Sequence, residues 1–581
     1  MKSVSKRLIL LVLTLVLFMG IFNMPMISEA AHDYGVTGDV NGDEIVTTVD
    51  YMFIKKVLSG TVSDSTIKST ADVNHDGKVT TADYMIVKQI FTGVPVQVLP
   101  KPLPEQPAIN DNGGSFNVTV NGTFTDNMVI QRNRYIDVFG TASKVGGVVY
   151  VKLGNEVRYG VVDSSGNWKV TLNGRAANTT PQSMKIYTKA QGENGGKTIK
   201  NILIGDVWII AGQSNAQISL NTTLVNNSSF ANNISEADNI RLFTQWFWDC
   251  SNYWGDFAAS GGKYVAITNA AQTNPPSVAK WNVGNVTNAK NFSAVGYYFA
   301  KMVADKTDVP LGIIQCVAGG SALCDFMPKS GYVSSKHNKG SSQFNACDIY
   351  NALIHPFSKT EITGFIFYQG EGNESAASSY SDNLTDFVGM MRGIFGKNMP
   401  FYNVQLPSHN TGGQWPGLAD VRFEQFDAIS TIDNYYLVST VDRNLSNNDT
   451  DWAHPTAKKH IGDRLGYIAL SNIYAYKDYP SDYYNPPQFH SVEVKNGYAY
   501  LYFKNFGDGL TSTTGTSVKG FTNYSTGAAL TATIEGKNCV KIKVTSGLKT
   551  IAYGDSAMAT MSTHNLRNSK GLFALTFRCT L

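Results

Sequence analysis

The feature that most constrains this chain is a duplication at a spacing of 33 residues. Residues 39–60 read DVNGDEIVTTVDYMFIKKVLSG, and residues 72–93 read DVNHDGKVTTADYMIVKQIFTG. Each copy places oxygen-bearing side chains at loop positions 1, 3, 5, 9 and 12. They are Asp39, Asn41, Asp43, Thr47 and Asp50 in the first copy, and Asp72, Asn74, Asp76, Thr80 and Asp83 in the second. Calcium takes six to eight oxygen ligands, and this odd-numbered spacing wraps a tight loop around one ion.

An apolar pattern with helical spacing follows each loop. It consists of Met52, Phe53, Val57 and Leu58 in the first copy, and of Met85, Ile86, Ile90 and Phe91 in the second. The sequence therefore predicts two units, each a calcium loop followed by a helix. Loop position 6 is Gly77 in the second copy but Glu44 in the first. A side chain there costs about 1 kcal/mol where φ is positive, so we expect the first site to be weaker.

Residues 32–94, and 36–94 most clearly, resemble a dockerin type I module, which attaches a secreted enzyme to a scaffolding protein. The resemblance implies a small all-α domain that binds two calcium ions, with a cohesin module of the scaffold as its partner. Loop positions 10 and 11 help to select the cohesin in that family. The contacts implied here are Thr48, Val49, Thr81 and Ala82, supported by Lys55, Lys56 and Lys88 on the helices.

The N-terminus predicts export. Lys2, Lys6 and Arg7 precede an apolar stretch at 8–19, and Ser28-Glu29-Ala30 provides small residues for cleavage after Ala30. We therefore predict a signal peptide over 1–30 and a secreted, extracellular protein. An uncleaved anchor is the alternative, because apolar residues continue towards Ile27. The net charge of only +3 gives no strong field for nucleic acid, and 11% aromatic residues exclude a disordered chain.

The rest of the chain divides by pattern. Residues 95–108 contain five prolines, which predicts an extended linker over 95–114. Short alternating runs over 115–203 predict an antiparallel β-domain. The pattern becomes α/β over 204–480 and β-rich again over 487–581. None of the six cysteines forms a C-x-x-C pair, and pairing of Cys539 with Cys579 is left open.

Four blocks predict a serine-hydrolase site. ILIGDVWIIAGQSN (202–215) is an apolar strand ending just before Ser214, and LGIIQCVAGGSALCDF (311–326) is a strand followed by Gly319-Gly320. GFIFYQGEGNES (364–375) ends a strand at Gln369-Gly370-Glu371, and DWAHPTAKKHIGDRLG (451–466) places Asp451 three residues before His454. Serine hydrolysis needs a nucleophile, a base, a carboxylate that orients the base, and donors for the oxyanion.

These blocks, together with FTDNMVIQRN, DIYNALIHPF and the terminal NLRNSKGLFALTFR, resemble the sialate O-acetylesterase family and related carbohydrate esterases of SGNH-hydrolase type. The resemblance covers about residues 117–581. It implies a multidomain protein with an α/β SGNH-hydrolase-like core, a parallel sheet flanked by helices. It also implies β-sandwich-like flanking domains, of which 487–581 belongs to the esterase.

The resemblance implies a role for each matching residue. Ser214 is the nucleophile, and His454 is the general base and then the acid. Asp451 orients His454, with Glu371 as a rival or additional partner and Asp449 as a weaker alternative. The oxyanion donors are the Ser214 N–H, a backbone N–H at Gly319 or Gly320, and the Gln369 side-chain amide. No cofactor is expected for catalysis.

We therefore expect a secreted, cellulosome-bound carbohydrate O-acetylesterase acting on acetylated hemicellulose such as acetylxylan. Acetylated sialic acid is the alternative substrate, and a non-catalytic carbohydrate-binding protein on the same fold is the alternative class. Two departures fall near the mouth of the site. Ala216-Gln217 stand where the family often has Met-Trp, and Ala322–Asp325 replace a bulky or acidic stretch. Substrate preference therefore cannot be copied from the family.

Overall fold

A computed structural model describes most of the chain after residue 37. The described residues are 38–41, 46–62, 67, 70–74, 78–91, 98–226, 237–245, 270–277, 279–337, 340–407, 415–442, 454–556 and 562–581. The predicted signal peptide, Asp43, Glu44, Asp76, Gly77, Asp449 and Asp451 lie outside these ranges. Within them, no helix is long and apolar enough to cross a membrane.

The duplicated region contains two matching helices, α1 (Thr48–Leu58) and α2 (Thr81–Phe91). Thr47 starts α1 because its hydroxyl accepts from Val49 N while Asp50 accepts from Thr47 N, which forms a capping box. The helices share a small apolar core formed by Val40, Ile54, Ala71, Val73 and Val87. Both helices therefore follow directly from the repeated sequence pattern.

Residues 115–203 form the β-rich region that alternation predicts. Its strands are β1 (Val118–Val120), β2 (Val129–Gln131), β3 (Ile136–Ala142), β4 (Val148–Leu153), β5 (Glu156–Val161), β6 (Asn167–Leu172) and β7 (Asn178–Tyr187). Strands β1, β3 and β6 make one antiparallel sheet. Strand β4 pairs antiparallel with β5 and with β7. The short helix α3 (Gly192–Gly195) follows β7.

One long strand, β8 (Lys197–Gly212), joins this region to the centre of the molecule. Its first half pairs antiparallel with β7, and its second half pairs parallel with strands on both sides. A boundary between domains at 203/204 would therefore cut through a continuous strand. The predicted β-domain and the α/β region share one sheet of eleven strands.

The central sheet is parallel over most of its width. Its remaining strands are β9 (Ala237–Thr244), β10 (Lys280–Gly284), β11 (Leu311–Val317), β12 (Gly364–Tyr368), β13 (Phe401–Val404) and β14 (Tyr435–Val438). The order across the sheet is β10-β9-β11-β8-β12-β13-β14, and only β10 of this row runs antiparallel to its neighbour. Strands β11, β12 and β13 are buried along their whole length, as their continuous apolar runs require.

Helices accompany this sheet. They are α4 (Ser214–Gln217), α5 (Leu220–Asn226), α6 (Val286–Lys290), α7 (Ala294–Ala304), α8 (Tyr380–Phe395), α9 (Leu418–Asp427), α10 (Lys458–Asn472) and α11 (Ser481–Tyr484). A 3-10 segment, Glu371–Ser379, leads from β12 into α8. Gly462 and Gly466 let α10 lie close against α7, because a Cβ at Gly462 would be 2.5 Å from the Tyr298 side chain.

The C-terminal region is antiparallel. It contains β15 (Gln488–Lys495), β16 (Tyr498–Lys504), β17 (Ser517–Val518), β18 (Phe521–Asn523), β19 (Ala532–Glu535), β20 (Cys539–Lys543), β21 (Thr550–Tyr553) and β22 (Phe577–Thr580). They form a five-stranded sheet and a three-stranded sheet. The described cysteines, Cys539 and Cys579 among them, are free and buried, and burial raises the pKa of Cys539 to about 11.

The proline-rich linker is bound to the first β-region. Six residues of the linker make these contacts: Lys101, Leu103, Pro104, Gln106, Pro107 and Asp111. Gln106 makes a double contact, because its amide donates to Tyr159 O at 2.9 Å and accepts from Tyr159 N at 2.8 Å. The linker predicted over 95–114 is therefore hydrogen-bonded to the first β-region through residues 101–111, which we call the strap.

Candidate active site

The predicted nucleophile and base lie together at the carboxyl end of the central sheet. Ser214 is the first residue of α4, directly after β8, and its Oγ is 2.8 Å from Nε2 of His454. Gly212 makes this turn possible, since its φ is +137° and a Cβ there would lie 2.1 Å from Tyr368 O. A serine and a histidine in direct hydrogen-bond contact are the nucleophile–base pair that serine hydrolysis requires.

Three carboxylates were predicted as partners for His454: Asp451, Glu371 and, as a weaker alternative, Asp449. Asp451 and Asp449 lie outside the described residues, so their roles stay predictions. The described contact of Glu371 is with Asn215, whose Nδ2 donates to Glu371 Oε1 at 2.6 Å. Glu371 is thus tied to the residue that follows the nucleophile.

The Gly319-Gly320 turn lies against the nucleophile. A Cβ at Gly319 would be 3.6 Å from Ser214 Cβ, which brings this backbone into van der Waals contact with Ser214. The Gly319 N–H donates to Oε1 of Gln217 at 2.7 Å. At Gly320 φ is +72°, and a Cβ would lie 2.7 Å from the Gln343 amide nitrogen. One predicted oxyanion donor, the Gly319 N–H, is therefore engaged by a side chain of α4.

The Gln369 side chain is fully buried and directed into the protein. Its Nε2 lies 2.9 Å from Asn373 Oδ1, 3.1 Å from Gln213 Oε1 and 3.2 Å from Ser321 O. An amide nitrogen carries only two hydrogens, so three protein acceptors use its donor capacity. This geometry does not support the predicted role of Gln369 as an oxyanion donor. Gln369 instead links the loops that contain Gln213, Ser321 and Asn373.

Sequence reasoning missed Gln213, which organises the same loops. Its Oε1 accepts from Gly370 N at 3.2 Å, from Gly372 N at 3.1 Å and from the Gln369 amide. Gln213 therefore connects the nucleophile turn to the Gln369–Gly372 block. Its place directly before Ser214 was the available signal, but an amide beside a serine does not identify its partner.

Sequence reasoning also missed Lys458, the first residue of α10. Lys458 is 0% exposed, and its ammonium group donates to Oδ1 of Asn215. The same Nζ lies 5.2 Å from the centroid of the Tyr368 ring. The available sequence signal was the position of Lys458, four residues after the predicted base His454.

The described residues of the two predicted calcium loops have matching geometry. Asp50 and Asp83 are fully buried, and each Oδ1 accepts from two backbone amides, one of them at 2.8 Å. Buried carboxylates are paired or coordinate a metal, so these two positions fit a calcium ligand set. The seven predicted cohesin contacts are all exposed: Thr48, Val49, Lys55, Lys56, Thr81, Ala82 and Lys88.

Comparison with known families assigns two segments. Residues 204–471 match the sequence model "Carbohydrate esterase, sialic acid-specific acetylesterase". Residues 37–92 match "Dockerin type I domain". Both resemblances predicted from the sequence are thereby confirmed.

Curated relatives and solved structures agree with these matches. Sialate O-acetylesterase of Homo sapiens is 24% identical over 314 residues, which cover 48% of this chain and 55% of that protein. The Rattus norvegicus enzyme is 23% identical and covers 61% of this chain and 74% of its own length. The chain thus spans about half the length of the first relatives it matches. A carbohydrate acetylesterase from Xanthomonas citri is 25% identical with a TM-score of 0.66, over 80% of this chain and 99% of that one.

Proposed function

We propose that this chain, which carries a segment of a carbohydrate esterase family and a dockerin type I segment, is a secreted carbohydrate O-acetylesterase bound to a cellulosome. The observation that carries the proposal is the 2.8 Å contact between Ser214 Oγ and His454 Nε2 at the end of β8. The parallel sheet with its site at the carboxyl ends of the strands supports an SGNH-hydrolase-like core.

The proposed reaction has two steps. His454 takes the proton of Ser214 as Oγ attacks the acetyl carbonyl carbon, and the tetrahedral oxyanion accepts from backbone N–H groups. His454 then protonates the sugar oxygen as the ester bond breaks, which leaves an acetyl-enzyme. Water attacks that ester by the same path and releases acetate. We propose Asp451 as the carboxylate that orients His454.

The backbone supplies the proposed oxyanion donors. The N–H of Ser214 lies at the first residue of α4, where amides have no partner inside the helix, and the helix dipole favours negative charge. A backbone N–H at Gly319 or Gly320 is the proposed further donor, because their turn contacts the nucleophile. Losing one oxyanion donor typically costs about 10²–10³ in rate.

The proposed substrate is an acetylated hemicellulose, with acetylxylan as the first member. A dockerin segment brings an enzyme to a scaffold that acts on plant-wall polysaccharide, and the low net charge suits a largely neutral polymer. Acetylated sialic acid is the second candidate, because the curated relatives are sialate O-acetylesterases. A cohesin of the scaffold is the proposed partner, and calcium is the proposed ion of both loops.

Acetate release tests the proposal. The full chain is assayed on acetylxylan, acetylated mannan, acetylated pectin and acetylated sialic acid, as wild type and as Ser214→Ala. Ser430→Ala is the matched control, since Ser430 is exposed and its hydroxyl contacts Asp427 O. We expect release from acetylxylan that falls at least about 10³-fold in Ser214→Ala only. Equal rates in wild type and Ser214→Ala would show that this chain is not a Ser214 hydrolase.

A further inference from the structure

Three blocks of the site meet through one chain of hydrogen-bonded side chains, in which Lys458 and Asn215 are buried and Glu371 is half-buried. The Lys458 ammonium donates to Oδ1 of Asn215, and Nδ2 of Asn215 donates to Oε1 of Glu371 at 2.6 Å. Lys458 and Asn215 are both 0% exposed. An ammonium group, an amide and a carboxylate therefore connect the start of α10, the nucleophile turn and the end of β12.

The two charges fix the orientation of the amide between them. The Asn215 carbonyl oxygen can only accept, so it faces the ammonium group, and the amide nitrogen can only donate, so it faces the carboxylate. A buried charge is costly unless polar groups surround it. For Lys458, the Asn215 amide oxygen and the face of the Tyr368 ring provide part of that environment. The Lys458 Nζ lies 5.2 Å from the centroid of this ring.

Both reacting side chains are adjacent to this chain of contacts. Ser214 precedes Asn215 in α4, which is only four residues long, so a contact of Asn215 acts one residue from the nucleophile. His454 lies four residues before Lys458, in the segment that leads into α10. Catalytic groups need to be held within about 0.5 Å of their productive positions by the packing and hydrogen bonds of their neighbours.

We propose that Lys458 and Asn215 are positioning residues, which hold Ser214 and His454 in reacting geometry through their contact with Glu371. The inference rests on the proposed serine-hydrolase function, and it gives Glu371 a part that is separate from orienting the histidine. Lys458 acts through Asn215, to whose Oδ1 its ammonium group donates.

The test compares Lys458→Met with Lys459→Met in the full chain. Lys459→Met is the matched control, because it removes the same charge one position further along α10. The Nζ of Lys459 donates to Asp463 at 2.6 Å. The probe is a fluorophosphonate, which labels an activated serine whatever sugar the enzyme prefers. We expect the labelling rate at Ser214 to fall about 100-fold in Lys458→Met and to change less than twofold in Lys459→Met.

A second variant keeps the test valid if Lys458→Met does not fold. Lys458→Met combined with Glu371→Gln removes both charges, so no uncompensated carboxylate remains buried. We expect this double variant to melt near the wild-type temperature and still to label at least about tenfold more slowly than wild type. Labelling of the double variant at the wild-type rate would overturn the proposal.

The labelled fraction separates positioning from a general loss of stability. A loss of stability lowers the fraction of molecules that become labelled, whereas a loss of positioning lowers the rate at which folded molecules react. We expect Lys458→Met to reach the same final labelled fraction as wild type, at a rate about 100-fold lower. A smaller labelled fraction that reacts at the wild-type rate would contradict the proposal.

The two proposals fail in different ways. Suppose that the wild type releases no acetate from any acetylated carbohydrate, and that Lys458→Met is labelled at Ser214 more slowly than the wild type. The proposed substrate is then wrong, and the positioning role stands. If wild type and Lys458→Met are labelled at equal rates, the positioning role is wrong whatever the substrate.

Discussion

Gln217 accepts a hydrogen bond from a backbone N–H that we propose as an oxyanion donor. The Gly319 N–H that we propose for the oxyanion donates to Gln217 Oε1 at 2.7 Å, within the range expected for the oxyanion itself. Gln217 is a departure from the family pattern, so this contact belongs to this chain. An incoming acetyl carbonyl oxygen must displace the glutamine oxygen before the donor can act on it.

Replacement of Gln217 by methionine should therefore raise the acylation rate. Methionine keeps the length and burial of the side chain but is only a weak acceptor. A hydrogen bond of this kind contributes about 0.5–1.5 kcal/mol, so we expect kcat/KM for p-nitrophenyl acetate to rise about two- to tenfold. Melting temperatures of both proteins are the control for folding. A lower kcat/KM in a folded Gln217→Met would show that Gln217 aligns Gly319 instead.

The site divides into residues that the sequence predicted and residues that it did not. Ser214 and His454 were predictable, because a serine after a buried strand and a histidine in D-x-x-H spacing are local patterns. Gln213, Asn215 and Lys458 were not, because their roles depend on which loops meet across the sheet. The contacts of Gln369 could not be predicted for the same reason, because its amide nitrogen lies near three acceptors that different loops provide.

Strand β8 shows why the presence of a strand is easier to predict than a boundary between domains. The apolar run that ends at Gly212 predicts a buried strand, and a strand is present. Alternation before residue 203 and a continuous apolar run after it suggested two domains. One strand of 16 residues produces both patterns, since its first half pairs on an antiparallel edge and its second half lies at the centre of a parallel sheet.

The strap shows a second limit of composition. Five prolines predict an extended backbone but say nothing about what that backbone contacts. Tyr159 binds the strap twice, through its backbone to Gln106 and through its hydroxyl to Pro107 O at 2.8 Å. Leu103 N donates to Asn173 Oδ1 at 2.6 Å, and Tyr135 donates to Lys101 O at 2.6 Å. The strap is thus part of the first β-region.

Deletion of the strap should destabilise the enzyme. A chain that starts at residue 115 loses these contacts, whereas a chain that starts at residue 98 keeps them. We expect the shorter chain to lose about 2 kcal/mol of unfolding free energy, after the entropy of ordering the strap is subtracted. Thermal and denaturant unfolding of the two chains measure the difference. Tyr159→Phe, which removes one hydroxyl contact, should lose less; equal stability of the 98 and 115 chains would refute a stabilising role.

At the scale of the whole molecule, the C-terminal β-region is bound to the α/β region by buried polar contacts. Gln405, after β13, donates to Thr576 O and accepts from Thr576 N, both at 2.9 Å. Arg578 on β22 bonds Glu424 of α9 at 2.5 Å. These contacts join the two regions directly, and the assignment of residues 487–581 to the esterase stays a prediction.

The dockerin segment depends on different chemistry, so calcium removal should separate two activities. The buried carboxylates Asp50 and Asp83 end the two loops, and a loop that loses its cation keeps buried negative charge, which favours unfolding. The Ser214–His454 pair lies far along the chain on the central sheet. We expect a chelator to weaken binding to a panel of cohesins at least about 100-fold while the rate of p-nitrophenyl acetate hydrolysis stays within twofold.

Two controls accompany this measurement. Added calcium should restore cohesin binding, and Asp83→Ala without chelator should weaken it too. Hydrolysis that falls in parallel with cohesin binding would show that the esterase itself needs the ion.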